Sequence, residues 1–300
     1  MVQLCPVQQI PLEIMRAFVF QNEVYGIQLA ERLEHYIRLD DKADCAGDFF
    51  CLTEGQSLWA VVFVSKAGLV LPCIPQNLPE NVFQQALPLI ARLFYGRRVY
   101  CVSGWSRGVQ LMQSALGMVV PAVEGSVARY PVEHRRYNFM CYDSHRCHCH
   151  LIPPLPVVRC SPDDADGLYQ LQSAYDTVEV LPKNQAFKPE TCRANLLRVL
   201  GLGNVVAIPE PQNHSAEGRF MAKANFSAVS WRFALIGGVY TAERHRRKGC
   251  AARLVQWLGD EAARGQRQAV LFVREENLAA RHAYENAGYF FSGNYEIAYY

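Results

Sequence analysis

Hydrophobic residues follow two spacings along this chain, and the two spacings predict strands and helices in a mixed order. In the first half, Leu58–Val64, Leu69–Cys73 and Val99–Val102 are runs rich in valine and aromatic residues, which is typical of strands. Apolar residues recur at helical spacing from Glu80 to Tyr95 and again from Arg107 to Leu116. We therefore predict hairpin strands, a helix, a strand and a short helix in this half.

A proline-rich stretch, Leu151–Pro156, interrupts the pattern near the middle of the chain, and the order restarts after it. Ser161 and Pro162 suit the N-cap and the first turn of a helix, which we predict to extend to about Val180. The remaining predicted elements are strands at 205–208, 219–228, 233–240, 269–273 and 289–299, and helices that begin near Gly249 and Asn277.

The two halves of the chain share one order of elements, which suggests a duplicated unit. Gly288 is placed to end the last helix in a left-handed conformation. When Gly117 is aligned with Gly288, Gln113 stands opposite Tyr284.

The bulk composition restricts the classes of protein to which the chain can belong. Its 300 residues suit two domains, and 50% hydrophobic with 19% charged residues is a globular composition. A formal charge of +2 gives no chain-wide attraction to nucleic acid or to membranes. The most apolar stretch, Leu58–Ile74, is interrupted and falls short of the roughly 20 apolar residues of a membrane helix. Because no signal peptide is recognisable, we expect the 11 cysteines to be reduced and the protein to be cytoplasmic.

The segment from Val239 to Ala251 carries the most informative chemistry. A β-branched strand leads into the basic turn Arg246-Arg247-Lys248, and the turn leads through Gly249 into an amphipathic helix. The first turn of a helix presents unpaired N–H groups and the positive end of the helix dipole, and Gly249 leaves room for a diphosphate there. Three cations at a helix N-terminus are unfavourable by themselves, so they indicate an anionic ligand rather than a merely solvated helix start.

At Arg246–Ala251 the sequence resembles a signature of the GNAT superfamily of N-acetyltransferases: Arg or Gln, two residues, Gly, one residue, then Gly or Ala. A second stretch typical of that family, Asn277–Tyr289, includes an asparagine and a tyrosine that face the coenzyme in such enzymes. The whole of Arg159–Tyr300 looks like one GNAT domain. The first half is similar to the extra N-terminal domain of a bacterial subgroup of the family, a degenerate GNAT-like fold.

The resemblance implies an α/β (α+β) fold of two GNAT-like domains in tandem, each a central mixed, mostly antiparallel twisted sheet flanked by helices. We expect a degenerate N-terminal domain at 1–150, a linker at 151–158 and a catalytic domain at 159–300. The N-terminal half lacks a matching phosphate loop, because residues 72–81 include three prolines but neither a glycine nor a basic residue. We therefore expect this half to shape the acceptor pocket or to recognise a partner rather than to bind coenzyme A.

By resemblance the co-substrate is acetyl-CoA, which lies between splayed strands at 235–241 and 269–273 and requires no metal. The implied coenzyme-binding residues are Val239, Tyr240, Thr241, Arg246, Arg247, Lys248, Gly249, Cys250, Ala251, Asn277 and Ala280. Backbone groups of Val239 and Thr241 are expected to pair with the pantetheine arm, and a free N–H near Val239 to stabilise the thioester oxyanion. Cys250 lies where a thiol pKa can fall. Direct transfer needs no nucleophilic cysteine, so we expect Cys250 to contribute only its backbone N–H.

Two side chains are candidates for the proton transfers. Tyr284 follows Asn277 by seven residues, about two helical turns, and its protonated phenol can protonate the leaving thiolate. An amine acceptor must lose a proton, and Glu179 is our candidate base. Gln172, Tyr175 and Glu179 share a helix face, and in this family the end of that helix overhangs the acceptor. The alternatives are that Tyr284 only packs and that Glu179 is an exposed helix carboxylate.

The leading interpretation is an N-acyltransferase that moves an acetyl group from acetyl-CoA to a primary amine in a ternary complex. The alternative is a non-catalytic acyl-CoA sensor, and a third interpretation is nucleic-acid binding through the basic turn. The acceptor, a small-molecule or protein amine, and the oligomeric state are not encoded in any motif. We expect neither a nucleic-acid nor a membrane partner. The consecutive residues of the segment Cys141–His150 depart from the spacing of zinc ligands, so we expect no metal there, with local zinc or copper binding as the alternative.

Overall fold

The computed structural model describes residues 1–39, 45–119, 130–211 and 219–300, and the chain forms two compact units. The N-terminal unit comprises Met1–Tyr137 and Gly293–Tyr300, and the C-terminal unit comprises Asn138–Ser292. This division differs from the expected one at 151–158, because the end of the chain belongs to the first unit and residues 138–158 belong to the second.

The N-terminal unit is a mixed sheet with helices packed on it. Its strands are β1 (Val2–Pro6), β2 (Gly47–Glu54), β3 (Ser57–Ser65), β4 (Leu69–Cys73) and β5 (Cys101–Trp105), and its helices are α1 (Leu12–Gln21), α2 (Ile27–Arg38), α3 (Glu80–Phe94) and α4 (Ser106–Gly117). Strands β1 to β4 are antiparallel neighbours, whereas β4 and β5 run parallel. The end of β12 (Tyr289–Tyr299) pairs with β5 and completes this sheet.

The C-terminal unit repeats this order of elements. Its strands are β7 (Val158–Arg159), β8 (Val205–Pro209), β9 (Phe220–Val229), β10 (Phe233–Thr241) and β11 (Gln268–Arg274), and its helices are α5 (Ala165–Tyr175), α6 (Pro189–Gly201), α7 (Cys250–Arg264) and α8 (Leu278–Asn286). The second half of β6 (Glu133–Tyr142) lies between β11 and the start of β12. Strands β7 to β10 are antiparallel, and β10 and β11 are parallel. The predicted class is confirmed: mixed, mostly antiparallel strands flanked by helices, in two units in tandem.

The sheet of the C-terminal unit is buried on both faces, which follows from the period of two along its strands. On β8, Val205 and Ala207 belong to the cluster packed against α5 and α6. Val206 and Ile208 belong to the cluster packed against α7. Both faces are therefore covered, and a ligand can reach the strands only where they part or end.

The expected linker is packed against the C-terminal unit. Ahead of the linker, the backbone N–H of Asp143 donates to the Gly288 carbonyl at 2.9 Å. Ile152 is buried in the core cluster of α7, and the Arg253 Nε donates to the Leu155 carbonyl at 3.1 Å. The proline-rich stretch is therefore held by apolar burial and by hydrogen bonds, which is why the boundary lies before it.

Candidate active site

A cleft opens where β10 and β11 part. The two strands pair in parallel from Phe233 with Gln268 to Ile236 with Leu271. The pairing ends there, although β10 continues to Thr241 and β11 to Arg274. The facing strand edges beyond Ile236 therefore carry backbone groups that a bound chain-like ligand can pair with, in the splayed arrangement that we expected.

Strand β10 has a bulge beside this cleft. Its pairing with β9 shifts register between Gly237 and Tyr240, so Gly238 and Val239 have no partner on β9. Gly238 has a φ of +62°, and a Cβ placed on it would lie 2.0 Å from the Asn225 Oδ1. Only glycine fits this position, and the sequence interpretation had singled out Val239 without Gly238.

Two side chains from other elements hold the bulge. The Lys223 Nζ donates to the Gly238 carbonyl at 3.0 Å and lies 5.1 Å from the centre of the Tyr175 ring. The Gly238 N–H donates to the Tyr175 hydroxyl oxygen at 3.3 Å. Lys223 is 1% exposed. Burial lowers the pKa of Lys223 to about 8, and the nearby Asp176 carboxylate opposes part of that shift.

The sequence interpretation missed Lys223. Its signal was a single lysine inside β9, in the run Phe220-Met221-Ala222-Lys223-Ala224. Alternation alone assigns such a residue to an exposed strand face, and the contact with β10 is not visible in the local pattern.

A short basic turn connects β10 to the start of α7. Gly249 is the N-cap residue, with a φ of +76°, and Arg247 also has a positive φ of 62°. The Arg253 N–H donates to the Gly249 carbonyl at 3.0 Å. The N–H groups of residues 250–252, the first turn of α7, therefore have no intrahelical acceptors. They are available to an anion, as the sequence predicts.

The structure gives a reason for Gly249 that the local sequence does not show. A Cβ on Gly249 would lie 2.5 Å from the Cδ of Pro153. The glycine is thus required by its positive φ and by the proline beside it, in addition to the clearance that we expect it to give a ligand. Ala251 is half-buried against the core of α7.

The three cations of the basic turn are exposed but differ in their partners. The Arg246 Nη2 lies 3.6 Å from the Glu243 Oε1. The Lys248 Nζ lies 3.2 Å from the Nδ1 of the buried His245. Arg247 forms no ion pair with any described residue. Their side chains are therefore available to a phosphate group at little cost in existing contacts.

Two further residues of this region bear on ligand binding. Cys250 is buried, and burial raises the pKa of its thiol, so the sulfur is not activated and only its backbone is suited to take part. The Oγ1 of Thr241 is buried and has no hydrogen-bond partner among the described residues. A buried polar atom of this kind is satisfied when a ligand supplies the partner.

Helix α8 starts with a side-chain cap. The Asn277 Oδ1 accepts a hydrogen bond from the Ala280 N–H at 3.1 Å. The two predicted coenzyme-binding residues of this helix therefore contact each other, and the oxygen of Asn277 is already engaged.

Tyr284 lies two turns further along α8 and is 7% exposed. Burial raises the pKa of Tyr284 well above its ordinary value, and the nearby Tyr175 and Glu179 raise it further. The phenol is therefore protonated at neutral pH, as a proton donor must be. Tyr175 and Glu179 are therefore near Tyr284.

Glu179 lies in a π-helical turn, Asp176–Val180, that continues α5. Its Oε2 lies 3.1 Å from the Arg274 Nε, and the Arg274 Nη2 donates to the Glu179 carbonyl at 3.0 Å. Gln172 donates instead to the Asp176 Oδ1 at 2.8 Å. The extra residue of a π-turn changes the spacing of side chains, so Gln172 and Glu179 have different partners although their spacing predicted one face.

A cavity of about 540 Å³ lies beside α5 in the C-terminal unit. Its walls combine apolar side chains such as Phe187 and Phe220 with the hydroxyls of Ser173 and Thr177. Tyr240, which follows the bulge on β10, forms another part of the wall. The cavity is thus next to the strand that carries the bulge.

In the corresponding region of the N-terminal unit, the helix begins with a carboxylate. Helix α3 begins with Glu80, whose Oε2 lies 2.7 Å from the Arg107 Nη2. A carboxylate in the first turn is favourable for the helix but repels a phosphate.

Two features bear on other kinds of ligand and partner. In the described ranges of the chain, no three His, Cys, Asp or Glu side chains come together to hold a metal ion. None of the described helices combines the length and the apolar character that a bilayer span needs.

Comparisons with known proteins show which family and which folds this chain resembles. Residues 201–289 match the family model described as Acetyltransferase (GNAT) family. An acetyltransferase of the GNAT family from Colwellia psychrerythraea, at 10% identity and a TM-score of 0.57, covers 100% of this chain and 98% of its own. A GCN5-related N-acetyltransferase from Sphaerobacter thermophilus has 13% identity and a TM-score of 0.59, and the match covers 99% of this chain and 94% of that protein. A tandem GNAT protein from the clavulanic acid biosynthesis pathway has 10% identity and a TM-score of 0.55, and the match covers 99% of this chain and 97% of that protein. Among curated proteins no significant match was found.

The C-terminal unit therefore carries a domain of the GNAT acetyltransferase family. The chain as a whole has the fold of a tandem GNAT protein, with two GNAT-like units. The resemblance identified at Arg246–Ala251 and Asn277–Tyr289 is thus confirmed.

Proposed function

We propose that the C-terminal unit transfers an acetyl group from acetyl-CoA to a primary amine. The observation that carries the proposal is the cleft between β10 and β11, which leads directly to the basic N-terminus of α7. The parted strand edges suit the amide groups of a pantetheine arm, and the unsatisfied Thr241 Oγ1 suits one of its polar atoms. The N–H groups before Arg253, together with the three cations, suit a diphosphate.

In the proposed reaction the amine nitrogen attacks the thioester carbon in a ternary complex, and the N–H of Val239 holds the oxygen while it carries negative charge. The C–N bond forms, the C–S bond breaks, and the thiolate leaves. Tyr284 gives its proton to the sulfur. Glu179 accepts the proton that the amine loses. Afterwards Glu179 releases this proton to solvent and the Tyr284 phenolate regains one from solvent, so overall one proton passes from nitrogen to sulfur.

We propose one coenzyme site per chain. The N-terminal unit has Glu80 at the helix start that corresponds to α7, and a carboxylate there disfavours a phosphate. Its role in the proposal is to shape the acceptor pocket or to recognise a partner. A second equivalent of coenzyme bound per chain would contradict this part.

The test is a screen of amines for acetyl-CoA-dependent thiol release, with Tyr284→Phe as the catalytic variant. Tyr289→Phe is the matched control. The Tyr289 ring neighbours that of Tyr284, and its hydroxyl donates a hydrogen bond to the Val255 carbonyl oxygen at 2.9 Å. We expect Tyr284→Phe to lower turnover by roughly 100-fold or more while coenzyme affinity is kept. Tyr289→Phe should lower stability by about 1 kcal/mol and leave turnover nearly unchanged. Coenzyme binding without thiol release for any amine would instead indicate a non-catalytic sensor.

A further inference from the structure

Lys223 is a buried cation to which the reaction described above gives no role. Its Nζ donates to the carbonyl of Gly238 in the bulge of β10, and its side chain is 1% exposed. Burying an ammonium group is costly, so an apolar residue at this position would favour folding. A charge retained there suggests that the bulge, and not the core, requires it.

The geometry of one peptide group connects Lys223 to the cleft. The Gly238 carbonyl and the Val239 N–H belong to the same peptide, and no peptide bond of the described chain is cis. In a trans peptide the two groups point in opposite directions. Because the carbonyl is directed to the Lys223 ammonium, the Val239 N–H is directed away from that ammonium. Val239 has no pairing partner on β9, and the pairing of β10 with β11 ends at Ile236, so the bulge leaves this N–H outside both ladders.

We propose that the ammonium of Lys223 polarises the Gly238–Val239 peptide and thereby strengthens the Val239 N–H as the donor that holds the thioester oxygen. The inference rests on the acyl transfer proposed above and assigns a positioning residue to it. A hydrogen bond to a peptide carbonyl draws electron density from the whole peptide group, so the N–H of that group becomes a better donor. The effect is largest when the donor carries a charge and little water is present.

The surroundings of Lys223 determine how the effect depends on pH. The groups that face Lys223 are Tyr175 of α5, Asp176 of the π-turn, Cys192 of α6 and Cys160 beside β7. Burial raises the pKa of each of these two thiols to about 12, so neither changes charge between pH 7 and 9. Lys223, with a pKa of about 8, does change charge in this range. The Val239 N–H should therefore be a stronger donor below pH 8 than above it.

The experiment measures the carbonyl stretch of [1-¹³C]acetyl-CoA bound without an acceptor, by infrared difference spectroscopy. In the wild-type protein we expect the band to lie at lower frequency than in free acetyl-CoA, and this displacement to decrease as the pH rises through about 8. In Lys223→Gln the displacement should be smaller and independent of pH. Lys188→Gln, an exposed lysine of the same unit, should behave as wild type.

Turnover supplies the second measurement once an acceptor amine is known. We expect Lys223→Gln to lower kcat about tenfold with little change in the KM for acetyl-CoA, because the residue acts on the transition state through another group. If Lys223→Gln does not fold, the pH titration of the wild-type band still decides the question. A bound carbonyl whose band does not respond to pH or to Lys223→Gln overturns the inference and leaves acyl transfer intact. Failure of acetyl-CoA to bind at all overturns the proposed function itself.

Discussion

The contacts of the Glu179 carboxylate come from residues that are distant in the sequence. Its carboxylate contacts Arg274 at 3.1 Å and contributes to the raised pKa of Tyr284. The base that we propose thus lies near the acid that we propose, and Arg274 holds it in position. Arg274 also lies 4.0 Å from the exposed Glu276, so one guanidinium contacts two carboxylates.

Glu179→Gln tests the base at this scale, and Glu276→Gln is its matched control. If Glu179 accepts the proton of the amine, Glu179→Gln lowers kcat/KM by roughly 100-fold. Glu276→Gln removes a carboxylate from the same arginine but should leave kcat/KM unchanged. Steady-state kinetics from pH 5 to 9 measure both variants. Equal turnover of Glu179→Gln and wild type at every pH removes Glu179 from the mechanism.

At the scale of elements, the start of α7 depends on a segment that looks like a linker in the sequence. Pro153 packs against Gly249, and Leu155 accepts a hydrogen bond from Arg253. The helix start is thus positioned by residues about 100 positions earlier in the chain. The phosphate-binding geometry requires this contact as well as the local basic motif.

Gly249→Ala tests this dependence. A Cβ there would have to occupy space within 2.5 Å of Pro153 at a φ of +76°, so the turn must move. We expect a loss of about 2 kcal/mol in the free energy of unfolding and weaker binding of acetyl-CoA, measured by thermal unfolding and calorimetry. Gly201→Ala is the control, because a Cβ at Gly201 meets no atom within 4 Å. Wild-type stability and affinity in Gly249→Ala would show that the proline contact has no importance for the site.

At the scale of the whole molecule, the two units are not consecutive segments of the chain. Residues 293–300 belong to the N-terminal unit, and residues 138–158 belong to the C-terminal unit. The hydroxyl of Tyr142 donates to Asp260 of α7, and the Tyr142 ring lies 5.1 Å from that of Tyr289. A fragment that begins after the proline-rich stretch lacks these contacts.

We predict that a fragment of residues 138–292 unfolds cooperatively, whereas a fragment of residues 159–300 does not. The second fragment loses Tyr142 and Ile152, two buried members of the core cluster of α7, and exposes the apolar surface that they cover. Circular dichroism during thermal unfolding compares the two fragments. A cooperative transition in 159–300 alone would restore the domain boundary that the sequence suggests.

Local patterns in the sequence determined most of the strands and helices from Leu58 onward, though not β6, β7 or α6. They also determined the basic turn before α7 and the left-handed Gly288, which has a φ of +97°. These features depend on residues within one or two turns of each other, so spacing and composition reveal them. Helix α6 was missed because it buries only Cys192, Leu196 and Leu200, a narrow stripe four residues apart.

Only the tertiary structure decided which distant residues meet at the site. The pairs Lys223 with Gly238, Glu179 with Arg274 and Pro153 with Gly249 each join separate elements. The same holds for the return of the last residues to the first unit. Such contacts depend on how the strands align and how the helices pack on them, which no local spacing of residues specifies.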